Sequence, residues 1–201
     1  MSTISIEGNI GAGKSSLVRY LEKSSSQLDA TFYPEPVEEW KNFHGHNMLD
    51  VMYRDMNKYA MVFQVLAYNT MKRIRQKPFT TRYKILERSV ETTVFCFSKL
   101  QLSLGNISPI EKLVIEHMYE TDSLSPMDRV FYLKTDPSVC HERLKRRDRS
   151  EESGISLDYL CKLHKVYDEY IQSCFGDKVT IINGNSTKED IRSQITLELL
   201  Q

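Results

Sequence analysis

The chain has no surplus of charge of either sign: Lys+Arg and Asp+Glu each number 27 in 201 residues. A balanced chain has no global field to draw in nucleic acid, so no nucleic-acid partner is expected. It lacks any apolar run approaching the ~20 residues that cross a bilayer, so no membrane partner is expected either. Cysteine is scarce, and Cys96, Cys140, Cys161 and Cys174 are scattered with no C-x-x-C pair. That spacing argues against a zinc site and a disulfide framework and suits free thiols in a reducing compartment. Internal repeats, low-complexity tracts and linkers are missing too. The first residues enter a strand at once, leaving no room for a signal or transit segment. The expectation is one soluble, cytoplasmic domain spanning 1–201.

What is present is an ordinary globular share of hydrophobic residues, 40%, enough for a sizeable core. Five short apolar segments rich in Ile, Val, Leu, Phe or Tyr read as strands: Thr3 to Ile6, Ala30 to Tyr33, Tyr83 to Leu86, Val130 to Leu133 and Val179 to Ile182. Helical patterns separate them, which predicts an α/β fold with a parallel sheet covered on both faces. Residues 50–75 carry no Pro or Gly and have apolar residues at helical spacing, so one long helix is expected there. A second is expected over 156–175, with Ser156 as its N-cap.

Residues 8–15 read Gly8-Asn9-Ile10-Gly11-Ala12-Gly13-Lys14-Ser15, a complete G-x-x-x-x-G-K-[ST] phosphate loop between a strand and a helix. Its glycines let backbone N–H groups turn inward on phosphate oxygens, and the helix N-terminus opened by Ser16 adds partial positive charge. Lys14 reaches β- and γ-phosphates in such loops, and the Ser15 hydroxyl sits on Mg²⁺. Open parallel sheets bind ligands beyond the carboxyl ends of their strands. After the second strand comes Pro34-Glu35-Pro36-Val37, and after the third Glu87-Arg88-Ser89. The flanking prolines restrict Glu35 to extended backbone. Position alone leaves Glu35 either a base for an incoming hydroxyl or a carboxylate in a solvated turn. Glu87 is a candidate for Mg²⁺ through water, and Arg88 for transferring charge or for holding the base; a simple ion pair at the strand end is the bland alternative. Adjacent strand residues point to opposite faces, which favours separate roles over a Glu87–Arg88 pair. Five cations lie within residues 143–149, interleaved with acids. In a phosphate-loop chain, such a segment between helices reads as a lid over the nucleotide. Arg143 and Arg147, four apart, share a face if the helix runs through them.

The ordered series GNIGAGKS at 8–15, PEPV at 34–37 with Trp40, Tyr53, Phe63-Gln64, ERSV at 87–90 and RLKRRDRSEE at 143–152 resembles the deoxynucleoside kinase family. That family includes the deoxycytidine, mitochondrial thymidine and insect broad-specificity kinases. The resemblance covers nearly the whole chain and implies a phosphate-loop NTPase-type five-stranded sheet with an arginine-rich lid. It implies transfer of the ATP γ-phosphate, with Mg²⁺, to the 5′-hydroxyl of a deoxynucleoside, and it implies a homodimer. In this resemblance Glu35 is the general base, Arg88 holds the 5′-oxygen and that base, and Glu87 organises Mg²⁺ with Ser15. Gln64 reads the nucleobase edge, Trp40 and Phe97 pack on the base while Phe63 stays core, and Tyr53 with Glu152 holds the 3′-hydroxyl. Arg143, Arg147 and Arg149 serve the donor nucleotide. Met71 and Thr93 stand where deoxycytidine-preferring members carry Arg and Asp, so the resemblance points to a thymidine-accepting pocket that also takes deoxycytidine. The chain departs from the family pattern at Glu91-Thr92-Thr93 and from Ser98 to Tyr119.

Three rivals share some of these features. A nucleoside monophosphate kinase has the loop, sheet and lid but needs extra cations for the acceptor phosphate near the base pocket. A non-catalytic ATP-binding module has no use for a base, a metal ligand and lid arginines together. A nucleic-acid ATPase needs a basic stripe, which is missing.

Overall fold

The five apolar segments all become strands: β1 (Ser2–Gly8), β2 (Ala30–Tyr33), β3 (Tyr83–Glu87), β4 (Arg129–Lys134) and β5 (Val179–Asn183). The computed structural model describes residues 1–23, 25–147, 149, 152 and 154–200. The strands form one parallel sheet in the order β2-β3-β1-β4-β5. Consecutive residues of β1 and β4 are buried, the pattern of strands covered on both faces.

The helices are α1 (Lys14–Lys23), α2 (Ser25–Leu28), α3 (Val37–Lys41), α4 (Met48–Arg54), α5 (Met56–Gln76), α6 (Ser98–Ser103), α7 (Pro109–Thr121), α8 (Pro137–Arg147), α9 (Leu157–Phe175) and α10 (Lys188–Leu200). Right-handed crossovers put α1 on one face, because β1 to β2 steps one way across the sheet and every later step runs the other way. α1 packs on β1, β2 and β3 and against α10; α9 packs on β4 and β5. No described helix is long and apolar enough to cross a membrane.

The long helix expected over 50–75 is two helices. The chain breaks at Asp55 (φ −149°, ψ 81°), whose side chain accepts from the Lys58 N–H at 3.2 Å and so starts α5 afresh. An Asp competes for free backbone donors as a cap does. At the other end of α5, the buried Lys84 ammonium on β3 donates to the Arg75 and Lys77 carbonyls at 2.6 Å each. It thereby meets the unpaired carbonyls that every helix C-terminus leaves. Ser156 caps α9 as expected, accepting from Tyr159 N–H at 3.1 Å.

Between β3 and α6 the backbone takes a π-helical turn over Thr92–Phe97, a rare geometry that is frequent at functional sites. Its first two residues, Thr92 and Thr93, belong to the Glu91-Thr92-Thr93 stretch where the chain departs from the pattern of the family it resembles. Of the expected lid, α8 carries the chain through Arg147, and Arg149 and Glu152 follow it; Asp148, Ser150 and Glu151 lie outside the described residues.

Candidate functional site

The carboxyl ends of β1, β2 and β3 open into a cleft of about 1000 Å³, ample for a ligand of nucleotide size. At its floor the phosphate loop folds tightly. Gly11 sits at φ +81°, and a Cβ there would meet the Cys140 carbonyl oxygen at 2.6 Å, so any side chain would displace α8. Asn9 pins the loop from behind: its Nδ2 donates to the Leu160 carbonyl on α9 at 2.9 Å and its Oδ1 accepts from Ile10 N–H at 2.8 Å. Lys14 is buried, and its ammonium donates to the Gly8 and Asn9 carbonyls at 3.1 and 2.9 Å. Burial first, and the Arg88 charge second, bring its pKa down to about 8, against the opposing pull of Glu35, Glu87 and Glu7.

Ser15 and Glu87 come together as the sequence suggested, with Ser15 Oγ donating to Glu87 Oε1 at 2.5 Å. The other carboxylate oxygen of Glu87 accepts from the Glu35 backbone N–H at 3.4 Å. One carboxylate thus ties the phosphate loop to the turn carrying Glu35. Glu87 and Arg88 do serve separate partners. Arg88 Nε donates to Glu35 Oε1 at 2.8 Å, and Nη1 donates to the Gly8 carbonyl at 3.0 Å and to the Tyr167 hydroxyl. The guanidinium also lies 4.9 Å over the Phe97 ring centroid. Burial alone would lower the Arg88 pKa, but Tyr167, Glu35, Glu7 and Glu87 together raise it, so the cation is permanent. Its backbone has φ +67°, a left-handed conformation costing a non-glycine residue about 1–3 kcal/mol and kept only where surroundings over-determine it. Here four side-chain contacts do so.

The upper wall comes from α3, α4 and α5. Trp40 turns its indole N–H to Thr70 Oγ1 at 2.9 Å and packs edge-on to Phe63, 5.3 Å between centroids. Phe63, expected in the core, is buried and also lines the cleft. Gln64 is 2% exposed, and its Oε1 has no hydrogen-bond partner among the described residues. A buried carboxamide oxygen left unpaired is costly and needs an explanation; this one lies on the cleft wall. Thr93 and Phe97 enter the wall from the π-helical turn, and Tyr53 from α4. Burial, then Tyr159 and Glu152, push the Tyr53 phenol well up, so it stays neutral. Met71 does not line the cleft. It is buried among Trp40, Phe63 and Tyr68 in the apolar cluster behind it, as an unbranched apolar chain on the inner face of α5 packs most readily.

The lid arginines converge on the same cleft. Arg143 Nη1 donates to the Ala12 carbonyl at 3.0 Å and Nη2 to the Gly184 carbonyl at 3.1 Å. Arg147 and Arg149 both pair with Glu152, the latter at 3.4 Å. The sequence reading missed Gln101 and Tyr159, which also line the cleft and hydrogen-bond each other at 3.2 Å, and Tyr167 behind Arg88. The signal for the two tyrosines was a pair of hydroxyls at helical spacing on the otherwise apolar face of α9; Gln101, on α6, lay in the stretch from Ser98 where the family pattern gave no guide.

The family model of deoxynucleoside kinases matches residues 4–199. The chain is 30% identical over 173 residues to human mitochondrial thymidine kinase 2, an alignment covering 85% of this chain and 64% of the human one. It is 32% identical over 201 residues to the thymidine kinase of Ictalurid herpesvirus 1, covering 97% and 84%. Among solved structures, a deoxyadenosine kinase from M. mycoides, with dCMP and a flexible dCDP bound, superposes with a TM-score of 0.83 at 25% identity over 98% of both chains. Motif order, sheet topology and whole-chain similarity agree: the chain belongs to the deoxynucleoside kinase family.

Proposed function

We propose that this chain, as one domain over 1–201, transfers the ATP γ-phosphate to the 5′-hydroxyl of a deoxynucleoside in nucleotide salvage. The observation that carries the reading is the Glu35–Arg88 ion pair, set on the wall of the same cleft as the phosphate loop. Phosphoryl transfer needs positioning and charge more than covalent chemistry. Glu35 takes the proton of the 5′-hydroxyl as its oxygen attacks. Arg88 holds Glu35 and the 5′-oxygen. Lys14 leaves the loop carbonyls for the β- and γ-phosphates, which satisfy a buried ammonium better. Gly8 to Gly13 with Ser15 and Ser16 cradle the phosphates, and Arg143, Arg147 and Arg149 clamp them. A hydroxyl and a carboxylate are hard oxygen donors suited to Mg²⁺, which takes few protein ligands beside substrate phosphates. Ser15 and Glu87 would hold that ion, which neutralises developing phosphate charge when bound. Gln64 offers one donor and one acceptor to the base edge, while Trp40 and Phe97 pack on its faces. Tyr53 and Glu152 take the 3′-hydroxyl.

Gln64→Ala is expected to weaken nucleoside binding by about 1–3 kcal/mol, read by calorimetry. An unchanged affinity would place Gln64 outside the base site. Uncharged Thr93 on the wall favours thymidine, with deoxycytidine also accepted. Initial rates with ATP and Mg²⁺ on thymidine, deoxycytidine, deoxyadenosine, deoxyguanosine and thymidine monophosphate test this directly. Thymidine should lead. Turnover of the monophosphate alone would make the protein a nucleotide kinase and remove Glu35 as base. Negligible thymidine turnover beside deoxycytidine or deoxyguanosine would overturn the pocket reading.

The reading extends to a homodimer in the cytoplasm. Ile110, Leu113 and Val114 form an exposed apolar stripe on α7, with Val62 exposed on the adjoining α5; a second copy offers a matching face. Sedimentation velocity should show a two-chain species that Leu113→Asp dissociates; a monomeric parent would end this part. The four free cysteines suit a reducing compartment.

A further inference from the structure

Tyr167 sits in the middle of α9, fully buried, at the back of the cleft rather than on its wall. A phenylalanine would fill the same space without the cost of burying a hydroxyl. Among the described residues, the hydrogen-bond partner of that hydroxyl is Arg88 Nη1. The ring cannot easily swing away, because it stacks on Tyr132 at 5.8 Å with planes 8° apart. Tyr132 is itself tied down, its hydroxyl donating to Asp168 Oδ1 at 3.0 Å while Lys134 pairs with Asp168 at 2.8 Å.

We propose that Tyr167 is a positioning residue for phosphoryl transfer, accepting from Arg88 Nη1 and so fixing the guanidinium plane that faces Glu35. The inference rests on the reading of the cleft as a deoxynucleoside kinase site. Arg88 Nε meets Glu35 on one edge of the guanidinium, while Nη1 bridges the Gly8 carbonyl and the Tyr167 hydroxyl on the other. A planar fork held at both edges cannot turn about its Nε–Cζ bond. Without the hydroxyl, Nη1 keeps, among the described residues, the Gly8 carbonyl alone, and the Nε–Glu35 contact loses its fixed direction. Burial pushes the Tyr167 phenol well up, so it accepts as a neutral group and adds no charge to a site already holding Glu7, Glu35 and Glu87.

The test is Tyr167→Phe in the full chain, with thymidine or the best acceptor of the rate panel. Turnover should fall about tenfold or more, the usual weight of a hydrogen bond to a charged group, with both KM values nearly unchanged. Incorporation of fluorotyrosines at 167 keeps the ring and weakens the phenol oxygen as an acceptor in steps. Turnover should then fall in the order of phenol acidity, a trend a packing role does not produce. Arg88 side-chain ¹⁵N resonances give a readout independent of activity: separate Nη signals in the parent should merge in Tyr167→Phe as the guanidinium begins to rotate. Unchanged turnover and unchanged Nη signals in the variant overturn the proposal, as does a flat fluorotyrosine series. An inactive parent whose Nη signals merge in the variant would support the Tyr167 contact while sinking the kinase reading beneath it.

Discussion

Glu35→Gln is expected to lower turnover by about 10²- to 10⁴-fold, the usual contribution of a positioned general base. Nucleoside affinity should scarcely move. The amide keeps the size of the carboxylate and can still accept from Arg88 Nε, so the wall of the cleft is preserved. What disappears is the capacity to take a proton as the 5′-oxygen attacks, and that capacity acts in the transition state rather than in the ground state. The measurement is a kcat and KM determination paired with direct calorimetric titration of the nucleoside. Full turnover in the variant would remove Glu35 from the mechanism. A loss confined to KM would make it a binding residue only.

Arg88→Met should damage activity and stability together. The Arg88 side chain is only 5% exposed. Its removal strands the Glu35 carboxylate, leaves the Tyr167 hydroxyl without its donor and the Gly8 carbonyl with Lys14 in place of two donors, and strips the buried Glu7 of its main compensating charge. Breaking a buried pair by deleting one partner costs about 3–5 kcal/mol. Loss of one preorganised donor at a reacting centre costs about 10²- to 10³-fold in turnover. Urea denaturation and initial rates read the two effects separately. Arg88→Lys is the necessary companion, because it retains the charge and loses the fork. It should recover much of the stability and little of the turnover. Wild-type stability in Arg88→Met would show that the buried charges do not depend on this guanidinium.

The sheet was legible because each strand is a short apolar run bounded by breaks, and burial on both faces demands such runs. The phosphate loop was legible because backbone amides cannot cradle phosphate without glycines at fixed offsets. The Glu35–Arg88 pair was implied by the family resemblance, and separate roles for Glu87 and Arg88 were expected from strand alternation, although β3 ends at Glu87 and it is the left-handed turn at Arg88 that parts the two side chains. The break at Asp55 was not legible. It carries no Gly or Pro, and whether an Asp caps a helix or sits on its surface is decided by tertiary packing. The π-helical turn was hidden for a similar reason, since one extra residue in a turn leaves no periodic trace over six positions. Met71 was placed in the pocket by the family resemblance, but the inner face of α5 is wider than the cleft, and an apolar chain there packs behind it. Tyr167 escaped because a tyrosine on an apolar face reads as core until its hydroxyl is seen to meet a cation 79 positions away in sequence.

The interruption at Asp55 puts two walls of the pocket on two helices rather than one. Gln64 rides on α5, anchored at its far end by Lys84, while Tyr53 rides on the short α4. In the proposed mechanism the first reads the base and the second the sugar. One continuous helix would make any tilt that deepens the sugar end drag the amide off the base edge. With a joint between them, a substitution under α4 can retune the sugar contact alone, and one under α5 the base contact alone. Selectivity for the two halves of the nucleoside can therefore drift independently, one wall at a time.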